Sequence, residues 1–133
     1  MAFYKAPDMS VWAAGPTGVN AGGWGLTLSP IDMAELGQLL LNGGVWNGRR
    51  IVSEEWLRES TSEHSRWTER DLPYGYLWWV LEREHGCAAI GDGGNIIYVS
   101  PEKNMVVAIA SCFRPMVNDR IEFIREYVEP AFD

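Results

Sequence analysis

The chain has 133 residues, 47% apolar and 22% charged, with seven tryptophans and a net charge of −7. That size fits one domain spanning residues 1–133, and the balance excludes disorder. With no block of Lys or Arg, a nucleic-acid partner is excluded; no apolar run approaches the ~20 residues of a membrane span, and no secretory signal opens the chain, so a cytoplasmic location is expected.

Residues 1–28 carry Gly15, Gly18, Gly22, Gly23 and Gly25 with Pro7 and Pro16, and read as an irregular lead-in. Ser29-Pro30-Ile31-Asp32 is a helix start: Ser29 caps, Pro30 suits the first turn, and Asp32 completes a capping box. Met33, Leu36 and Leu40 share one face of that helix, and Asn42-Gly43-Gly44 ends it. Asn47-Gly48 predicts a tight turn between Val45-Trp46 and Arg49-Arg50. Ser53 caps a short helix, with Trp56 and Leu57 expected inward. Residues 60–72 read as a polar loop, Tyr74 to Leu81 as one aromatic strand, and Glu82 to Gly86 as a turn.

Three strands follow: Cys87–Gly91, Asn95–Ser100 and Met105–Cys112. A turn at Pro101–Asn104 puts Ser100 opposite Met105. The third strand lacks polar alternation and belongs in a sheet covered on both sides. After Pro115, Val117, Ile121, Ile124 and Val128 line one face of a final helix that Pro130 stops. The fold class is α+β: an antiparallel sheet, the last helix packed on one face, and the Ser29–Asn42 helix nearby.

Cys87 and Cys112 are the only cysteines. The hairpin register puts Cys112 opposite Gly93 and Cys87 ~20 Å away, beyond the reach of a disulfide. Both are read as free thiols; no metal and no cofactor is expected. Ser100-Pro101-Glu102-Lys103 has the Ser-x-x-Lys spacing, but that pair works at a helix start, with the ammonium over the hydroxyl. Here it spans a turn, and it is rejected, as is Tyr98-Val99-Ser100. His64 and His85 fall in polar surroundings, and Ser62 or Ser65 beside His64 does not make a triad. Strand alternation sends Trp78 and Trp79 to opposite faces.

The ordered set AGGWGLTLSPIDMAELGQLLLNGGVWNGRRIVSEEWL, PYGYLWWV and AAIGDGGNIIYVSPEKNMVVAIAS closely resembles the C-terminal third of the serine β-lactamase-related hydrolases. That family includes class C β-lactamases, D-Ala-D-Ala carboxypeptidases and related esterases and amide hydrolases. The resemblance covers about residues 20–130. It implies a β-lactamase/transpeptidase-like fold in which Ala89-Ile90-Gly91, with Asp92 and Gly93, forms the substrate-binding strand. Gly91 matches the family glycine, and the Asp92 N–H matches an oxyanion-hole donor. Ala89 stands where the family carries Lys or His, which leans away from carboxylate-bearing substrates and toward other amides or esters. The nucleophile-bearing Ser-x-x-Lys and the Tyr motif lie upstream of the matching part, so no catalytic side chain is assigned. The competing reading of Gly91–Gly94 is a bulge that closes a sheet corner. The resemblance also implies that the Met105–Cys112 strand pairs with an N-terminal strand in full-length relatives. A free apolar edge there predicts association with another copy or with a separate N-terminal half. Three functions follow: a hydrolase part inactive alone, a non-catalytic ligand-binding module, or an oligomerising module.

Overall fold

The computed structural model describes residues 11–23, 25–111 and 119–132. Strand β1, Val11–Trp12, pairs antiparallel with β2, Leu26–Thr27, so the lead-in holds a short ladder where irregular chain was expected. Helix α1 spans Pro30–Leu41. The Asp32 N–H donates to Ser29 Oγ, and the Ser29 N–H donates to Asp32 Oδ2 at 3.2 Å, closing the capping box. Gly43 and Gly44 follow with φ of 61° and 83°, a left-handed exit from the helix.

Strands β3, Val45–Trp46, and β4, Arg49–Arg50, form a hairpin in which Asn47 and Gly48 both have positive φ, as the primed turn requires. Helix α2 is Glu54–Ser60, capped by Ser53 Oγ. Trp56 does not face inward: it is 53% exposed and stacks on Tyr76 at 5.7 Å. Tyr76 in turn stacks on His64 at 4.2 Å.

Two further corrections concern the polar stretch. Residues 60–72 contain strand β5, Ser65–Trp67, paired with β6, Leu72–Tyr74. Arg66 holds this end together through Glu63, Asp71 and Glu82 at 2.6–3.3 Å, so ion pairs do there what apolar alternation does elsewhere. The Tyr74–Leu81 run is not one strand. It breaks after Tyr74 and resumes as β7, Trp79–Leu81. Gly75 lies against the Ser60 carbonyl, closer than any side chain would allow, and Leu77 adopts φ of 65°.

Strands β8, Gly86–Gly91, β9, Asn95–Ser100, and β10, Met105–Ile109, complete a six-stranded antiparallel sheet in the order β10-β9-β8-β7-β6-β5. Ser100 faces Met105 as the turn predicts, with Asn104 at φ of 47°. The third strand ends at Ile109; Cys112, and with it the expected pairing to Gly93, lies outside the described residues. Helix α3, Arg120–Phe123, is capped by Asp119, widens into a π turn over Ile124–Val128 and closes as a 3₁₀ turn over Glu129–Phe132. Pro130 therefore sits inside the last turn and does not stop the helix before it. Val117 lies outside the described residues.

The apolar sequence of β8 to β10 is explained by two covers. Cys87, Ile97 and Val99 face α1 and pack with Met33, Leu36, Val106 and Ala108. Their strand neighbours Ala88, Ile96, Tyr98 and Met105 pack against Ile121 and Ile124 on the other side. The period of two thus fills both layers, and α1 covers the face opposite α3. Among the described residues no helix is long and apolar enough to cross a membrane.

Burial has a titration consequence at Cys87, which is 6% exposed. Desolvation pushes its thiol from 9.0 up to about 12. The folded state then holds this proton more tightly than the unfolded chain, so the associated stability is complete below pH 9 and is lost as pH rises toward 12. Relative to Cys87→Ala, the native chain should lose about 1.4 kcal/mol per pH unit across that window. Urea unfolding at steps between pH 8 and pH 11 checks this; parallel curves for the two proteins would contradict it.

Candidate functional site

The stretch Ala89 to Gly93 occupies the end of β8 and the turn after it. Strand β8 is the third strand from one edge, between β7 and β9. Gly91 faces Asn95 across the ladder, and Asp92-Gly93-Gly94 makes the connection. Gly93 and Gly94 have φ of 79° and 94°, where a side chain would be strained, so these two glycines are required by the turn itself. Gly91 is different. A Cβ there would meet Asn95 Cβ at 3.6 Å, an ordinary contact, so packing within the described chain leaves room for a side chain.

Alternation places Ala89 on the α1 face, packed beside Trp78 and opposite Ile97. The floor at this position is apolar and uncharged. Ile90 points the other way and is 40% exposed. Asp92 is exposed and Gly93 half-buried, so the turn forms an accessible tip.

Three residues that sequence reasoning did not single out hold this tip. Asn95 Nδ2 donates to the Asp92 carbonyl at 3.1 Å, and Asn95 Oδ1 accepts from the Ser111 N–H at 2.9 Å. Arg120 Nε donates to the Gly94 carbonyl at 3.4 Å. The available signal was Asn95 itself: asparagine is disfavoured in strands, so one opening a β-rich run marks a side chain with other work.

The other candidates are scattered. Ser62 Oγ donates to the Arg58 carbonyl at 2.6 Å, while His64 Nε2 sits 2.8 Å from the Glu59 carbonyl. Each is turned to α2, not to the other. Ser100 is buried at the end of β9, with Lys103 in the turn beyond it. Two cavities of about 290 and 350 Å³ lie at the end of the sheet opposite the glycine turn. Glu84, Arg125 and Glu129 line the first, and Leu40, Leu57 and Cys87 line the second.

No family profile matches the chain. Sequence comparison finds the 6-aminohexanoate-dimer hydrolase of Paenarthrobacter ureafaciens, 29% identical over 101 residues, covering 68% of this chain and 26% of that protein. A solved Bacillus anthracis structure named for the same hydrolase superposes with a TM-score of 0.67 at 24% identity, covering 86% of this chain and 30% of the other. Both similarities are to proteins named 6-aminohexanoate-dimer hydrolase, serine hydrolases of the β-lactamase family, and cover only part of each. The chain spans about a quarter of the length of the curated relative. The antiparallel sheet with its packed helices is the α+β arrangement that this hydrolase fold predicts.

Proposed function

We propose that this chain supplies the substrate-binding strand of a serine hydrolase acting on amides or esters, and that it is inactive alone. The observation that carries the reading is the β8 end: an exposed Asp92 on a turn fixed by Asn95 and Arg120, beside a glycine that the turn does not need. A strand end without a side chain at Gly91 lets a substrate backbone lie close, and a fixed N–H suits a developing oxyanion. Ala89, beside Trp78 and Ile97, suits a substrate without a carboxylate anchor. The same reading leaves proton transfer and nucleophilic attack to side chains outside these 133 residues: Ser62 and His64 are bonded to different carbonyls of α2, and Ser100-Pro101-Glu102-Lys103 spans the β9–β10 turn and opens no helix.

The isolated chain should not turn over a nitrophenyl ester or the linear dimer of 6-aminohexanoate above the buffer rate. Turnover that disappears on substituting Ser62, Ser65 or Ser100 by alanine would sink the proposal.

A second reading, a binding module without catalysis, is favoured by the spare room at Gly91. Gly91→Val should leave thermal unfolding unchanged. Under this reading it also abolishes saturable binding of a small amide, measured by calorimetry. Equal binding by both proteins would remove the Gly91 strand end from consideration.

A further inference from the structure

The Ser100-Pro101-Glu102-Lys103 turn has no catalytic place in the hydrolase reading, yet it walls the smaller of the two cavities, about 290 Å³ in volume. Arg83 and Glu84, from the turn after β7, and Arg125 and Glu129, from the last helix, close the other sides. None of these walls is an unpaired strand. The period of two puts Ser100 on the same face of β9 as Ile96 and Tyr98, the face that the last helix covers.

Two oxygens meet this cavity without a partner. Ser100 is 1% exposed, and its hydroxyl makes no hydrogen bond among the described residues. Glu129 is 8% exposed; its Oε1 accepts from the Tyr98 hydroxyl, while its Oε2 has neither a hydrogen bond nor an ion pair among the described residues. The other buried carboxylate, Glu84, differs, because both of its oxygens accept from Arg125. No fully enclosed side-chain oxygen of the described residues lacks a partner, so these two atoms open onto the cavity and not into packed core. A carboxylate taken this far out of water is ordinarily matched by a cation.

We propose that the cavity is a binding site for a small primary amine in its ammonium form. An ammonium carries three N–H donors and no acceptor. One N–H would donate to Glu129 Oε2 as a charge-assisted hydrogen bond, and a second to Ser100 Oγ. A carboxylate ligand is disfavoured, since Glu129 would face it as a like charge and Arg125 is already held by Glu84 and Glu122. The volume lies at the lower end for ligand pockets, which limits the carbon chain to a few atoms. The net charge of −7 favours the approach of a cation. The inference goes beyond the hydrolase reading, uses no atom of the glycine turn, and is tested without a substrate.

Amide NMR of the whole chain, titrated with butylammonium chloride at an ionic strength held constant with sodium chloride, should show the Ser100 and Glu129 signals moving saturably, with a Kd of about 1 mM. Tetramethylammonium has the same charge and no N–H, and should not reproduce the shifts. Glu129→Gln keeps an oxygen for Tyr98 and removes the charge, and should bind about tenfold or more weakly. Ser100→Ala removes the second acceptor and should weaken binding about threefold or more. Glu126→Gln, at an exposed position on the same helix, lowers the negative charge equally and should bind like the native chain. If neither cavity variant folds, the comparison of the two ammonium ions on the native chain decides. No saturable shift by about 50 mM, the same shifts from tetramethylammonium or from sodium alone, or a folded Glu129→Gln that binds like the native chain overturns the inference.

Discussion

Arg125→Leu should lower the unfolding free energy by about 3 kcal/mol, the largest loss expected from a single polar side chain here. Arg125 Nε and Nη2 donate to the two oxygens of Glu84 at 2.7 and 3.0 Å, and Glu84 is 4% exposed. This fork ties the turn after β7 to the helix that covers one face of the sheet. Removing the guanidinium leaves Glu84 buried, and Arg83, whose Nε lies 3.9 Å away, is a side chain 71% exposed. An uncompensated buried carboxylate costs far more than the pair itself contributes, since bringing both charges out of water already offsets much of their attraction. The companion double variant, Glu84→Leu with Arg125→Leu, should therefore recover most of the loss. Urea denaturation of the native chain, both single variants and the double variant closes the cycle. If Arg125→Leu costs under about 1 kcal/mol, the pair behaves as a surface bridge and the docking argument fails. Nearby, the Tyr98 hydroxyl donates to Glu129 Oε1 at 2.6 Å. Burial, then this bond and the neighbouring carboxylates, hold the phenol protonated well above its ordinary range. That contribution is complete below pH 10 and falls away at higher pH, so Tyr98→Phe should flatten the alkaline limb.

The features legible in the sequence are those with local causes. Ser29 with Asp32, Ser53, Asn47-Gly48 and the Pro101–Asn104 turn each act within four residues, and each stands as read. The unbroken apolar run of β10 was equally plain, because a sheet covered on both sides demands apolar residues on both faces. What escaped had distant causes. Gly75 breaks the aromatic run because the Ser60 carbonyl is already there, fifteen positions earlier. Strand β5 is held by Arg66 reaching Glu82, which no local pattern announces. Trp56 finds its partner in Tyr76 rather than in the core. The candidate site divides the same way. Its glycines were legible because a turn with positive φ writes itself in residue type. Its clamp was not: Ser111 and Arg120 lie sixteen residues or more from the atoms they hold, and only the fold brings them to Asn95 and Gly94.

Gly37→Val should cost about 3 kcal/mol or more, and Gly37→Ala should destabilise despite alanine's preference for helices. Gly37 is buried in the middle of α1. At an exposed helix interior, replacing glycine by alanine gains about 1 kcal/mol. Here the added Cβ would lie 2.5 Å from Val106 Cγ1 and 2.9 Å from Ile97 Cγ2. Both neighbours are β-branched and stiff about χ1, and both stand on paired strands, so neither can swing clear. Relief requires α1 to lift from the sheet, loosening Met33, Leu36 and Leu40 against Cys87 and Val99. Overpacking of this kind costs about 1–3 kcal/mol for one methyl group, which outweighs the helix preference. Valine adds two more methyl groups in the same place. The measurement is thermal unfolding of Gly37→Ala alone and combined with Val106→Ala. If the contact is the cause, the second substitution restores part of what the first removes, a coupling that distant sites would not show. A Gly37→Ala chain more stable than the native one would mean that α1 does not press on β9 and β10. The close approach of α1 to the last two strands would then lose its footing.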